Sequence, residues 1–112
     1  MTELTNAEDL KLVTLARGAM ARIGSTSGAA VRDQDGRTYS GAEVVLVHRR
    51  MSAVELAVAI AVASGASSLE AAVQVGGDFG ESDIALVRSV LQPDGLLALC
   101  SPRGDLVSVI DA

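Results

Sequence analysis

The chain has 112 residues, 49% hydrophobic and only 2% aromatic, with nine basic and fourteen acidic residues and a net charge of −5. This length predicts one domain over residues 1–112, with a core filled by Ala, Val and Leu. The acidic balance argues against nucleic acid as a partner, because a phosphate-backbone binder needs a basic surface. The longest uncharged run, Leu56–Leu69, is too short and too rich in Ser and Gly to cross a bilayer.

The single cysteine, Cys100, excludes an intramolecular disulfide. A single cysteine is consistent with a protein that resides in a reducing compartment. Residues 1–12 are polar and acidic, unlike the apolar segment of a secretion signal. We therefore expect a cytoplasmic protein that does not associate with membranes.

The first predicted element is a helix over Thr5–Ile23. Thr5 and Glu8 match the Ser/Thr-x-x-Glu capping box, in which two side chains satisfy the first free amides of a helix. Apolar residues then recur at helical spacing. Gly24 is placed to end the helix.

The next predicted element is a β-hairpin. Asp35-Gly36 is a strong signal for a tight turn between two antiparallel strands. The pattern places the first arm at Gly28–Arg32 and the second at Arg37–His48. The second arm contains most of the β-branched residues of this region.

The second predicted helix covers Ser52–Ala63 and is apolar on nearly all sides, so we expect it to be buried on most of them. Its alternating Ala and Val residues also permit a strand. The length, the alanine content and a second capping box, Ser52 with Glu55, favour the helix.

The remaining pattern predicts a strand at Ala71–Val75, a third helix from about Ser82 to Pro93, and two strands, Leu96–Cys100 and Leu106–Asp111. The five residues between the last two strands are too few for a parallel crossover, so this pair should be antiparallel. The order α-β-β-α-β-α-β-β predicts a mixed sheet with helices packed on its faces.

Several stretches resemble the small cytidine deaminases that act on free nucleosides. They are Leu12–Met20, Gly28–Val31, Asp35–Val44, Ala53–Gly65 and Arg88–Leu91, which are similar to that family's first helix, hairpin, first motif helix and the end of its second motif. The resemblance implies a three-layer α/β/α sandwich. It also implies a five-stranded mixed sheet whose last two strands are antiparallel.

The resemblance also identifies where that family's zinc chemistry would lie. In zinc deaminases of this type three protein ligands hold Zn²⁺, which activates a water, and a glutamate shuttles protons. On this chain the glutamate falls on Glu55, while the ligand positions fall on Ala53, Ile84 and Val87. Hydrocarbon side chains cannot bind zinc. We therefore expect no metal and no cofactor.

The family's nucleoside contacts are also altered. Its Asn and Glu fall on Glu43 and Val45, and its segment that packs on the base is shortened to Thr26–Ala30. The resemblance leaves Glu43 as the candidate substrate contact. A nucleoside-like small ligand is therefore the partner that a remaining cleft would accept.

Glu55 has two interpretations. The resemblance makes it a catalytic acid/base group, but without a zinc-bound water it has no obvious proton to move. The residues themselves make it a helix cap, accepting from the Ser52 amide and lying at the positive end of the helix dipole. The sequence favours the cap and leaves Glu55 as a vestigial catalytic position.

Four other features have simpler explanations than a site. Cys100 fits a buried thiol better than a nucleophile paired with the only histidine. His48–Arg50 is better explained as charge exposed to solvent than as an anion site, because the helix after it has its own cap.

Two loop motifs also have simple explanations. Arg103–Asp105 spells a cell-adhesion tripeptide, but its position between two strands indicates a hairpin turn. Gly76–Gly80 lacks the lysine and the glycine spacing of a phosphate-binding loop. Phe79 is expected in a loop or an interface.

Two hypotheses for function follow. The first is a catalytically degenerate cytidine deaminase-like protein, an oligomeric binding or scaffold module without zinc. The alternative is a hydrolase that deaminates free cytidine or deoxycytidine, which would need metal ligands from elsewhere. The alanine-rich core and the apolar second helix predict a homo-oligomer, either a dimer or a tetramer.

Overall fold

The computed structural model describes residues 3–110 as a three-layer α/β/α sandwich. Its elements in chain order are α1 (Ala7–Arg22), β1 (Gly28–Asp33), β2 (Thr38–Ala42), β3 (Val44–Val45), β4 (Arg50–Met51), α2 (Ala53–Ala63), β5 (Leu69–Val75), α3 (Glu81–Arg88), β6 (Leu91–Cys100) and β7 (Leu106–Val109). The predicted order of helices and main strands is confirmed. The short β3–β4 ribbon was not predicted from the sequence.

The middle layer is a five-stranded sheet with the order β2-β1-β5-β6-β7. β1 is antiparallel to both β2 and β5, whereas β5 and β6 are parallel and are joined through α3. β6 and β7 are antiparallel. The predicted mixed sheet and its antiparallel last pair are therefore confirmed.

The helices cover opposite faces of the sheet. Successive side chains of β5 alternate between two hydrophobic clusters, one packed against α1 and the other against α2 and α3. Both clusters consist mainly of Ala, Val and Leu, as the composition predicts. Within residues 3–110, no helix combines the length and the apolar character needed to cross a membrane.

The predicted hairpin turn is confirmed and is organised by Asp33. Its buried carboxylate accepts hydrogen bonds from the amides of Asp35 and Arg37, both 2.9 Å, and from the Tyr39 hydroxyl at 3.2 Å. Burial alone would raise the pKa of Asp33, but these hydrogen bonds outweigh it and lower the pKa below its usual value. Gly36 adopts φ +82°, which the turn requires.

The second arm is shorter than predicted, because β2 ends at Ala42 rather than continuing to His48. The chain leaves the main sheet after Glu43, whose amide donates to the Ser27 carbonyl at 3.1 Å. Val44–Val45 then pairs with Arg50–Met51 as a separate ribbon. The run of valines signals a strand but does not show which strand it pairs with.

The predicted cap of α1 is wrong by one residue. Asn6, not Thr5, is the N-cap, and its Oδ1 accepts from the amides of Glu8 at 2.8 Å and Asp9 at 3.3 Å. Asn is at least as good an N-cap as Thr, so residue type alone does not decide between these two neighbouring positions. Gly24 follows the end of the helix with φ +64°, as predicted.

The third helix ends earlier than predicted, at Arg88, and Pro93 lies in β6. The pairing of β5 with β6 shifts from Leu69 opposite Leu91 to Ala71 opposite Leu96. A bulge of this kind accommodates proline, since residues in it need not donate to a neighbouring strand. The last strand ends at Val109, and predicted residue 111 lies outside the described range.

The second helix is less buried than predicted. One side packs into the cluster through Ala53, Val54, Ala57, Val58 and Ala61. On its two flanks, Ile60 is 41% exposed and Val62 is 48% exposed. Within one chain, α2 therefore keeps apolar side chains that are partly exposed.

Candidate functional site

The candidate site lies where α2 and α3 begin next to each other on the same face of the sheet. Ser52 is the N-cap of α2, and Gly80 is the N-cap of α3. The Ser52 hydroxyl donates a 2.7 Å hydrogen bond to the Asp83 carboxylate in the first turn of α3. This contact joins the two helix starts directly.

The start of α2 is the predicted capping box. The Glu55 amide donates to the Ser52 hydroxyl oxygen, and the Ser52 amide donates to the Glu55 carboxylate, each at 3.1 Å. Each side chain thus satisfies one backbone amide that the helix itself leaves without an acceptor. The structure gives Glu55 the role of a cap.

Asp83 is the site residue that the sequence analysis missed. One carboxylate oxygen accepts from Ser52, and the other accepts from the Gly80 amide at 3.1 Å. Asp83 therefore caps its own helix and holds the neighbouring one. An acidic residue three positions after a glycine is a signal for a helix start, but the contact with Ser52 is not visible in the sequence.

Ala53, Ile84 and Val87 all contact one hydrophobic cluster between the helices and the sheet. Ala53 and Val87 are buried, at 1% and 0% exposure, and Ile84 is half-buried against them. The side chains at these three positions are therefore apolar, and they lie next to the polar contact between Ser52 and Asp83.

Glu43 lies elsewhere, beside a surface depression of about 380 Å³. The depression is lined by Ile23, Gly24, Ser25, Thr26, Glu43, Val44 and Val45. The Glu43 carboxylate accepts from the Thr26 hydroxyl at 3.0 Å and forms an ion pair with Arg50. Its backbone carbonyl accepts from the Ser25 hydroxyl at 2.9 Å. Glu43 is therefore held in a defined position at the edge of this depression.

The remaining candidates are not brought into the site. Cys100 is buried in the cluster packed against α1, and burial, reinforced by the negative charge of Asp105, raises the pKa of its thiol. A raised pKa disfavours the reactive thiolate. His48 and Arg49 are exposed in the loop of the β3–β4 ribbon.

Two further predictions about loops are confirmed. Arg103–Asp105 forms the turn between β6 and β7, with Gly104 at φ +97°. Phe79 lies in the loop before α3 and packs, half-buried, against the cluster under α2 and α3.

The three-layer α/β/α fold, with two helices that begin side by side on one face of a mixed sheet, is the architecture of the deaminase class. The family model described as cytidine deaminase-like matches residues 5–104. The chain belongs to this family, and the resemblance noted from the sequence is confirmed. A comparison with curated proteins gives no match.

Solved structures agree on the fold. Cytidine deaminase from Burkholderia pseudomallei is 21% identical with a TM-score of 0.76, covering 90% of each chain. The enzyme from Mycobacterium leprae is 18% identical with a TM-score of 0.71, covering 94% of each chain. The enzyme from Mycobacterium tuberculosis is 20% identical with a TM-score of 0.71, covering 82% of this chain and 85% of its own. At these identities the likeness establishes the fold alone.

The zinc that such deaminases use does not fit the residues found here. Zinc needs Cys, His or carboxylate donors, whereas the positions that the sequence resemblance sets against the family's ligands carry only hydrocarbon, in Ala53, Ile84 and Val87. Across residues 3–110, no three His, Cys, Asp or Glu side chains are grouped as a metal site would require.

The contact between Ser52 and Asp83 generates the first prediction. Ser52→Ala removes the cap and leaves the Asp83 carboxylate short of a donor, so it should destabilise the fold by about 1 kcal/mol or more. In a double-mutant cycle, Ser52→Ala and Asp83→Ala should show a coupling energy of about 1 kcal/mol by urea denaturation.

The matched control is Asn6→Ala, which removes the cap of α1, a helix on the opposite face of the sheet from α3. Its cost should add to that of Asp83→Ala within about 0.5 kcal/mol. If the costs of Ser52→Ala and Asp83→Ala also added within this limit, the two helix starts would not be energetically coupled.

Proposed function

We propose that this chain is a catalytically degenerate member of the cytidine deaminase-like family, an oligomeric binding or scaffold module that works without zinc. The observation that carries the proposal is the chemistry of the three aligned ligand positions. Ala53, Ile84 and Val87 offer no lone pair to a metal, and a zinc deaminase cannot form its activated water without one.

The packing supports a stable site rather than a damaged one. If side chains that once surrounded an ion were simply lost, a cavity would remain, at a cost of about 24 cal/mol per Å³. Ala53 and Val87 are instead buried in a hydrophobic cluster, at 1% and 0% exposure. The hydrogen bond between Ser52 and Asp83 also ties the two helices together, a connection that bound metal would otherwise provide.

The remaining polar features favour binding over chemistry. The depression beside Glu43 presents the hydroxyls of Ser25 and Thr26 together with a carboxylate, groups suited to the hydroxyls of a small polar ligand. The solved structures with this fold are named cytidine deaminases. A nucleoside-like ligand, with Glu43 as one contact, is therefore the small molecule that we propose.

The oligomeric part of the proposal depends on α2. Ile60 and Val62 on α2 are 41% and 48% exposed, and the β3–β4 ribbon exposes Val45, Leu46 and Val47 by 60% or more of their surface. Three consecutive exposed apolar residues, as in the ribbon, are typical of a surface that contacts another protein. A second copy of the chain is the partner that we propose for α2.

The absence of zinc chemistry can be tested on the purified wild-type protein. Elemental analysis should find substoichiometric zinc after exposure to the metal, and no uridine should form from cytidine or deoxycytidine. Stoichiometric zinc together with turnover would overturn the proposal and establish the hydrolase alternative.

A gain-of-function variant provides the control. Ala53→Cys, Ile84→Cys and Val87→Cys together should bind about one zinc per chain, because all three side chains contact the same cluster between α2 and α3 and would supply three thiolates there. A variant with the same number of new cysteines, in which exposed Val107→Cys replaces Val87→Cys, should bind zinc much more weakly. Equal binding by the two variants would mean that the three positions do not converge.

The role of Glu55 can be separated from catalysis by substitution. Glu55→Gln keeps an acceptor for the Ser52 amide and loses only the charge at the helix start, so it should cost about 1 kcal/mol or less. Glu55→Ala removes the acceptor and should cost more. If Glu55→Gln left stability unchanged but abolished a measurable deaminase activity, a cap would not be its main role.

A further inference from the structure

The tip of the β3–β4 ribbon exposes apolar side chains next to a cationic one. Val45, Leu46 and Val47 are 71%, 60% and 93% exposed. Arg49 is exposed two residues further on, and across residues 3–110 its side chain has no partner in an ion pair or a hydrogen bond. The ribbon therefore presents hydrocarbon and an uncompensated guanidinium to solvent.

Hydrogen bonds within the chain give the ribbon a defined shape. The Leu46 amide donates to the Arg49 carbonyl at 2.8 Å and closes a tight turn at the tip. At the base, the ion pair between Glu43 and Arg50 ties β4 to the residue that precedes β3. An ordered surface loses little conformational entropy when a partner binds, and a two-stranded ribbon gains stability by packing against another surface. The ribbon is thus suited to docking.

The acidic segment Asp78–Glu81, which leads into α3, has the complementary character. Asp78 and Glu81 are both exposed, and neither carboxylate is held by an ion pair or a hydrogen bond within residues 3–110. Phe79 between them is only half-buried, so part of its ring faces solvent. An aromatic ring accepts both hydrocarbon and a guanidinium, and the two carboxylates attract the guanidinium.

The ribbon and the acidic segment lie at the same end of the molecule. Gly28 on β1 pairs with Ala42 on β2 and with Val75 on β5, so β2 and β5 both finish at this end of the sheet. The ribbon follows β2, and the acidic segment follows β5. The hydrogen bond from Ser52 to Asp83 joins the residue after the ribbon to the first turn of α3.

This placement allows two copies of the chain to satisfy each other. A two-fold axis at the shared end would set each ribbon against the acidic segment of the other copy, so that both contacts form together. The acidic start of α1 lies at the opposite end of the sheet, where Asp9 pairs with Arg32 near the hairpin turn. Because each copy carries a net charge of −5, an orientation that brings the cationic tip to carboxylates is favoured over the others.

We propose that a second copy of the chain binds at this end, with Val45–Val47 of each ribbon packed on Phe79 of the other copy and Arg49 paired with the carboxylates of Asp78 and Glu81 there. Burial of hydrocarbon on the ring supplies affinity, and the charges select the orientation. This inference rests on the oligomer in the proposed function and assigns to it a contact that α2 does not provide.

The test reverses the charges on the two sides of the contact. Arg49→Glu sets a carboxylate against the acidic segment, and Asp78→Arg with Glu81→Arg sets two cations against Arg49. Each variant alone should associate about tenfold or more weakly than wild type by sedimentation equilibrium, because every like-charge contact occurs twice in a two-fold pair. An equimolar mixture of the two variants should recover the wild-type mass, because opposite charges then meet at both contacts.

Asp35→Arg with Asp94→Arg is the matched control. It changes the net charge by the same amount, and both residues are exposed at the other end of the sheet, near the pairing of Asp33 with Leu69. This control should associate like wild type and should not rescue Arg49→Glu. Rescue by the control, or a mixture of the ribbon and acidic-segment variants that stays weak, would overturn the inference.

Two other outcomes separate this inference from the proposed function. If the charge-reversed variants kept the wild-type mass, the ribbon contact would be overturned and the proposed oligomer through α2 would stand. If the wild-type protein were monomeric at its highest soluble concentration, the proposed oligomer would be overturned, and this inference with it.

Val47→Ser tests the apolar part of the contact. Because Val47 is 93% exposed in one copy, the substitution should leave the stability of the monomer unchanged. It should weaken association by about fivefold or more, since the side chain is buried only when the second copy binds. Unchanged association would overturn the packing of the ribbon on Phe79.

Discussion

The starts of α2 and α3 must be held side by side for this fold to close over the sheet, and hydrocarbon packing with one short hydrogen bond does so. Ala53 and Val87 are buried in the cluster between the helices and the sheet, while Ser52 donates to Asp83 at the helix starts. The two contributions are complementary, because an apolar interior excludes water from the cluster and the polar rim satisfies amides that the helices leave free. The capping role of Glu55 is part of the same arrangement.

The deaminase fold is retained, while the three positions that the sequence resemblance sets against the family's metal ligands carry apolar side chains. A fold does not fix an activity, and the site must supply the chemistry. In the proposed function, Glu43 at the edge depression is a group that orients a ligand. We therefore place the function in recognition and assembly.

Local signals predicted local structure well. Asp35-Gly36 identified the turn and Ser52 with Glu55 identified the cap, because each depends on neighbours in sequence. Contacts between distant segments were not predictable in the same way. The bond from Ser52 to Asp83 joins residues 31 positions apart, and the strand containing Pro93 became visible only through the pairing of β6 with β5.

The central claim is that methyl groups meet where a zinc deaminase would hold its metal. Methyl-labelled protein in solution allows direct measurement of nuclear Overhauser effects among Ala53, Ile84 and Val87, before and after addition of zinc. We expect contacts that connect the three side chains through the shared cluster and are unchanged by the metal. If the three methyl sets belonged to separate networks, or if zinc at equimolar concentration shifted their resonances, the account would be contradicted.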